Sequence, residues 1–513
     1  LARLQAAEFL YPSTLLPEPQ WSFKHALTHE AAYESLPAPE RGRAHAQVVE
    51  AIERLHAGRL VEHIDALAHH AFRSEVWDKA ASYLYQAGAR AFARSANREA
   101  AAHFERAIEA LERLPRSREI VERSLDLRFS LRHALFSLGE HGRILGRLRE
   151  VERLADEVGD QPRLTQAFFY LATYFYVVAD HVAADRHGRR ALALATTLGD
   201  RTFEVEAMIR LGLVHHARGD YETAVGFLGR TLDYLAGGRQ LPHTPVSPFI
   251  HARVWLAWCC ADLGRFGEGR TLGEDALRMA ETLEHPNNFT MATFGLGHLL
   301  LVQGDLEQAT GVLERGVDVA RRSGNAHWLP RVAAALGYGH ALAGRVAEGL
   351  GLLEQAISRA EANGLRAMMP RFVGWWAEVL DLGGRSADAA AAAQRALRMA
   401  REQGERGNEA HALRTLGALA ASGQPAALET GAGYLTDALA LSGALGMRPL
   451  EARCRLDLGL ALSGLGKVEA AREHLGAAAA QLRSLEMTRW VPEAERALAG
   501  SPRARRRKLK RSG

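Results

Sequence analysis

The sequence predicts an all-α protein, a right-handed superhelical solenoid of stacked helical hairpins with a period of about 40 residues, and three observations predict it. Turn fragments return regularly. Taking the residue after each turn glycine, or its equivalent, as a marker gives Glu140, Asp180, Asp220, Arg265, Asp305, Arg345, Arg385, Pro425 and Lys467, separated by 40, 40, 45, 40, 40, 40, 40 and 42 residues. Two columns keep phase with those markers. Eight residues before them, from Asp180 onward, stand Ala172, Gly212, Ala257, Gly297, Gly337, Ala377, Gly417 and Gly459, all small; one residue earlier stand Leu171, Leu211, Leu256, Leu296, Leu336, Trp376, Leu416 and Leu458, all large. Composition agrees, being rich in alanine, leucine and glycine at periodic positions. One hairpin cannot bury both its faces alone, so a repeat of this period implies a stack.

Each column has a physical reason. A glycine in mid-helix costs up to ~1 kcal/mol relative to alanine, so its return at one phase implies close approach of a neighbouring helix. The adjacent large residue then fills the space between layers. Turn glycines such as Gly219, Gly304 and Gly344 suit the left-handed position that closes a helix, and Asp220 or Asp305 can cap the next one. Where Arg265, Arg345 or Arg385 stands instead, the cap is lost and the turn survives. Second helices carry small residues at Ala184, Ala224, Gly269, Ala309, Gly349 and Ala389, four past the markers from Asp180 to Arg385.

Along the chain, Leu4, Ala7, Phe9 and Leu10 suggest the end of a helix, Pro12, Pro17 and Pro19 a loop, and Trp21 to His25 a short strand. Helical spacing resumes over Ala26–Leu36 and, after the break at Pro37 and Pro39, over Arg41–Leu55. Asn97 marks the turn of one ordinary hairpin, a charged helix starts between Pro115 and Arg128, and Gly237 to Pro248 forms the longer loop behind the 45-residue step. The repeats end near Glu486, with a capping helix around Pro492–Leu498 and a basic tail expected to be disordered. The chain opens at Leu1 in helical context, which reads as a piece of something longer.

Several of these residues carry a resemblance. Phe23-Lys24-His25-Ala26-Leu27-Thr28-His29-Glu30-Ala31-Ala32-Tyr33-Glu34-Ser35-Leu36, then Arg43-Ala44-His45 and Val49-Glu50-Ala51-Ile52-Glu53, resemble the winged-helix end of the regulatory ATPase module of bacterial signalling proteins. The stretch from His63 to His70, Phe72, Trp77 to Gly88 and Asn97 to Phe104 with Ala107 is similar to the next segment in that class, which joins a nucleotide-binding domain to tetratricopeptide-type repeats. The resemblance covers about residues 1–112 in detail and extends beyond as repeat architecture. It implies the end of a winged-helix region at 1–60, the first tetratricopeptide-type hairpins at 61–115, the solenoid at 116–499 and the tail at 500–513.

Charge and cysteines bound the function. The formal net charge is +4, but Arg503, Arg505, Arg506, Arg507, Lys508, Lys510 and Arg511 supply +7 of it, leaving the rest near −3 with no global polyanion-binding charge. Nucleic acid is therefore not an expected partner. The tail could touch nucleic acid or anionic lipid, though such a run is usually a solvated terminus. Of the 64 basic residues 59 are arginine, the mark of GC-rich coding. Cys259, Cys260 and Cys454 form no CxxC pair, so a reducing cytoplasm is expected. The most apolar run, Ala167–Ala179, is too short for a membrane span.

No catalytic, cofactor or metal site emerges. His25 and His29 stand four apart, but Tyr33 occupies the place where HExxH needs its second histidine. His63, His69 and His70 lack a ligand framework. Gly464-Leu465-Gly466-Lys467-Val468 fails the phosphate-loop pattern at Ala461 and Val468 and sits on a repeat turn. A positional site is better supported. If the small column matches the glycine of a tetratricopeptide helix, residues fourteen before each marker face a concave groove: Gln166, Glu206, His251, Met291, Arg331, Arg371, His411 and Arg453. The column seven before adds Trp258, His298, Tyr338 and Glu378. This mixed basic and aromatic wall suits an acidic peptide, a small anionic ligand or a partner domain; the plainer alternative is a solvated face of ordinary arginine content. A chaperone-type carboxylate clamp is not expected, because Leu213, Trp258 and Ala418 stand where it wants asparagine.

The expected function is a protein-interaction or ligand-sensing module. The resemblance implies an upstream ATPase domain in cis, and above it a class III adenylate/guanylate cyclase or kinase domain. The alternative is the repeat region of a ligand-responsive transcription activator. A free-standing hydrolase using His25 and His29 is a third reading, weakened by the missing HExxH partner.

Overall fold

The computed structural model describes residues 2–14, 20–94, 96–236, 247–421 and 425–500. Among them are 25 α-helices and one pair of strands. Contacts divide the chain into two compact units, Leu1–Leu135 and Phe136–Gly513. The first unit holds both segments expected at 1–60 and 61–115.

In the first unit, α1 (Ala2–Ala6) precedes an antiparallel pair, β1 (Leu10–Thr14) and β2 (Gln20–Phe23), in the register Leu10↔Phe23, Tyr11↔Ser22 and Pro12↔Trp21. Pro12 was expected in a loop; it sits in β1, where a two-stranded ribbon leaves an edge that needs no N–H donor. Pro17 and Pro19 lie outside the described residues. Helices α2 (Ala26–Glu34) and α3 (Ala38–Leu55) flank the proline break, and a 3₁₀ turn at Leu60–His63 leads into α4 (Ile64–Arg73). Then α5 (Trp77–Ala93) and α6 (Asn97–Glu112) form the expected hairpin. They cross where a Cβ on Gly88 would meet Phe104 at 2.6 Å. The unit boundary falls within α7 (Arg118–Leu138).

The second unit continues with α8 (His141–Glu157), α9 (Gln161–Val177) and α10 (His181–Leu198), α11 (Arg201–Arg218) and α12 (Tyr221–Ala236), α13 (Pro248–Leu263) and α14 (Phe266–Leu283), and α15 (Pro286–Gln303) and α16 (Leu306–Arg322). It closes with α17 (Leu329–Leu342) and α18 (Val346–Ala362), α19 (Met369–Leu382) and α20 (Ser386–Gln403), α21 (Arg406–Ala421) and α22 (Pro425–Ala444), α23 (Arg448–Gly464) and α24 (Val468–Ser484), and the terminal α25 (Val491–Leu498). The expected loop at 237–248 and the basic tail fall largely or wholly outside the described residues. Among the described residues no helix is long and apolar enough to cross a membrane.

The small column is where the two helices of a hairpin meet. A Cβ added at Gly212, Gly297, Gly417 or Gly459 would meet Leu228, Leu313, Leu435 or Leu475 of the partner helix at 2.5–2.6 Å. At Gly337 it would meet the Gly349 carbonyl at 2.8 Å. The large column does bridge layers: Leu211 packs on Gly188 of the preceding hairpin, and Leu296 on Gly273. Gly219, Gly304 and Gly344 have φ of 82°, 97° and 96°, the left-handed conformation the turns require. Asp305 caps α16 through the Gln308 N–H. The Asp220 carboxylate instead holds His215 Nδ1 at 3.0 Å. No side-chain cap forms at Arg265, Arg345 or Arg385.

Winding is tight enough for successive superhelical turns to touch. The N–H groups of Arg366 and Ala367 donate to the Val177 carbonyl at 2.9 and 3.0 Å. His181 meets Glu405 at 2.9 Å, and both are buried. Tyr221 packs on Gly407 and Met447, Gly264 faces Pro449 and Leu485, and Arg489 reaches the Leu342 carbonyl. The turn after α11 rests on the start of α21, ten helices further on, so about five hairpins complete one superhelical turn.

Candidate functional site: the inner wall of the superhelix

From the α9–α10 hairpin onward the first helix is buried on nearly every side, whereas the second keeps an exposed polar face; α13 is buried almost throughout, while α14 buries Phe266, Gly269, Gly273, Ala276 and Ala280. First helices therefore build the interior. On them the structure places every residue of the expected wall. Trp258, His298, Arg331, Tyr338 and Arg371 are buried; His251, Glu378, His411 and Arg453 are half-buried. The wall is not an open groove, because the contacts between superhelical turns bring it face to face with itself. Gln166, half-buried, bonds to Tyr170, and Met291 is core.

The wall residues gather into three groups. In the first, Asp262 accepts from His216 Nε2 at 3.0 Å and lies 3.7 Å from Arg371. Burial pushes the Asp262 carboxyl up, but the His216 hydrogen bond and the Arg371 charge win, and it stays below its ordinary value. Arg371 also donates to Asn408 at 2.8 Å and to His411 Nε2 at 2.6 Å. Arginine has no acceptor, so that imidazole nitrogen must be unprotonated. Burial, helped by Arg371 and Arg414, holds the His411 pKa far down and fits this assignment. His298, fully buried against Trp258 (4.6 Å) and Trp375 (5.8 Å), has no hydrogen-bond partner at either ring nitrogen. Burial brings it to about 3.

Beside this group Tyr176, His216, Trp255, Trp258, Met368, Arg371, Glu405 and Asn408 are among the residues around a cavity of about 20 Å³, room for roughly one water. Met368, at φ 71°, turns the chain into α19 there.

In the second group Glu378 accepts from Tyr338 at 2.9 Å and Arg414 at 2.6 Å, with Arg453 at 3.6 Å. Arg414 also bonds to Asp457 at 2.7 Å. Burial opposes the Glu378 charge, yet Arg414 and Arg453 outweigh it and hold the carboxyl at about 2. The third group, Tyr176, Glu206, Arg210, His251 and Arg331, is differently balanced. Arg210 lies over the rings of Tyr176 (5.6 Å) and Phe169 (5.8 Å). Arg331 lies over Trp328 and donates to the His327 carbonyl.

Cys259, Cys260 and Cys454 are free and buried; burial pushes Cys260 and Cys454 up to about 12 and Cys259 well above its usual value, so none offers a thiolate. His25 precedes α2 in extended conformation, so it does not share a helical face with His29. Gly466 (φ 73°) and Lys467 form the turn between α23 and α24. Asp65, Glu99 and His103 bring ligand atoms within 4.8 Å, but the two acids are exposed and Glu99 already pairs with Arg94.

Sequence reading missed Arg210, Trp255, Trp375, Asp262, Arg414 and Asp457. Five of these stand ten or three residues before a marker, Arg414 being the exception. Spacings of fourteen, ten, seven and three trace one helical face, and only fourteen and seven were followed.

No protein-family model matches the chain, and no curated protein matches it. Solved structures similar to it include a Rap protein complexed with competence and sporulation factor, at 13% identity over 75% of this chain and 98% of that one, TM-score 0.49. Another is a signal transduction ATPase with numerous domains bearing a tetratricopeptide repeat sensor, from Pyrococcus horikoshii, at 13% identity over 77% and 53%, TM-score 0.37. A third is the APC/C hetero-tetramer Cut9–Hcn1, at 13% over 90% and 99%, TM-score 0.43. At such identities the likeness is one of helical-repeat fold.

Proposed function

We propose that this chain is a ligand-sensing, protein- or peptide-binding repeat module whose inner wall is its receptor surface. One observation carries the reading: the wall concentrates arginine, histidine and tryptophan that stacking does not require, and polar contacts between superhelical turns enclose it. A ligand must part those turns or form with them, so its affinity differs between wound and opened states, which is the requirement for a sensor. The N-terminal resemblance supports a setting in a multidomain bacterial signalling ATPase with a cyclase-linked output, in the cytoplasm.

The test is selection of short displayed peptides against the full chain, with binding then measured to the R331Q/R371Q variant. A selected peptide should lose about tenfold or more in affinity and should alter hydrogen exchange at the Arg366 and Ala367 amides. A selection without a saturable binder, or winners that bind variant and wild type alike, refutes the reading.

A further inference from the structure

The interior arginines are not equivalent. Arg371 and Arg414 each have a carboxylate within 4.0 Å, Asp262 for the first and Glu378 with Asp457 for the second. Arg210 and Arg331 are as deeply placed, at 9% and 3% exposure, yet among the described residues neither has one. Arg331 donates to the His327 carbonyl; Arg210 Nε is buried without an acceptor, and its guanidinium rests on aromatic rings. Arg210 lies over the Tyr176 ring at 5.6 Å, and the charges of both Arg210 and Arg331 act on the Tyr176 phenol. Two acids are nearby: Glu206, one turn before Arg210 on α11, which burial brings to about 7 and which is a weak counter-charge, and Glu405, which also acts on the Tyr176 phenol but is bonded to His181 and Asn408. Residues 237–246, which join α12 to α13, contain no aspartate or glutamate.

One neighbouring polar group is a further donor without a partner. Trp255, 6.3 Å from Tyr176, is buried and its indole N–H has no acceptor. Tyr176 of α9 thus has the Arg210 guanidinium of α11 over its ring and the Trp255 indole of α13 beside it, and it feels the charge of Arg331 from α17. A buried cation without a counter-charge is costly, and a folded interior keeps few of them. Planar guanidinium forks match the geometry of carboxylate and phosphate oxygens.

We infer that Arg210 and Arg331, with the Trp255 indole, form a binding site for a small oxyanion group, a carboxylate or a phosphate, carried by the ligand of the inner wall. The inference rests on the reading that this wall receives a ligand and names the chemistry it takes there.

Inorganic phosphate and acetate are the probes, titrated into the full chain at constant ionic strength, with chemical unfolding followed by tryptophan emission. Saturable stabilisation is expected, the folded-to-unfolded ratio rising about 100-fold at ~100 times the dissociation constant, and R210Q and R331Q should require at least about tenfold more anion. A response to phosphate alone assigns a phosphoryl ligand, and one to acetate alone a carboxylate. No response to either, or equal responses in wild type and both variants, overturns the site. Should the arginine variants fail to fold, W255F decides: it should lose the anion-dependent emission change, and retention of the full change overturns the inference. The peptide selection can fail while an anion still binds, so the two readings stand on separate data.

Discussion

Gly349 is the sharpest probe of how the hairpins are built. A Cβ there would lie 2.9 Å from the Ala341 Cβ, 3.0 Å from its backbone nitrogen and closer still to the Gly337 carbonyl. Two of these neighbours are main chain, which cannot rotate away. Gly349→Ala should gain up to ~1 kcal/mol from helix propensity and lose roughly 2–3 kcal/mol to overpacking, a net loss of about 1–2 kcal/mol. Gly351, two residues on in the same helix, has nothing within 4 Å of its Cβ position. Gly351→Ala should therefore keep the propensity gain, about 0.5–1 kcal/mol. Urea unfolding followed by far-ultraviolet dichroism compares the two, and their midpoints should move in opposite directions. Equal shifts, or a stabilised Gly349→Ala, would refute the close-approach explanation of the small column. Gly337→Leu attacks the same crossing from α17 and should be worse than Gly349→Ala.

Two further predictions concern the interior. The Glu378 carboxyl sits at about 2, below the ~4.3 of an unfolded glutamate, so its ion pairs contribute stability that is fully present above ~4.3 and lost as pH falls towards 2. The advantage of wild type over Glu378→Gln should be about 3 kcal/mol at pH 7 and shrink to about half by pH 3; a pH-independent difference measured by urea unfolding excludes this role. Glu405→Gln removes the acid that meets buried His181 between superhelical turns. It should cost ~1–3 kcal/mol and speed hydrogen exchange at the Arg366 and Ala367 amides, whose partner is Val177; unchanged exchange there means that the pair does not hold the turns together.

The repeat, its phase and its turns were legible in the sequence because they rest on local rules. Glycine recurs where helices cross and where φ is positive, and apolar residues return at helical spacing. Half of the wall was legible for the same reason: once Arg331, Tyr338 and Arg371 fall on one face of successive first helices, they must share an interior. The remainder of that face, Arg210, Trp255 and Trp375, lay on the same helical stripe and needed only its full spacing to be followed. Asp262 lies three residues before its marker, but its meeting with Arg371 is a different kind of fact.

The sequence by itself determined the hairpin, its period and the side of each helix that faces inward, all consequences of contacts within a helix or between adjacent ones. Only the tertiary structure decided how tightly the superhelix winds. Five hairpins per turn bring Val177 to Ala367 and His181 to Glu405, and the curvature brings Asp262 across the interior to Arg371, three hairpins on. Pairings across such separations depend on small rotations accumulated from hairpin to hairpin, and no single hairpin encodes their sum. The same winding encloses the wall and gives Arg371 its carboxylate, whereas Arg414 finds Glu378 and Asp457 on the adjacent first helices; Arg210 and Arg331 are left without one.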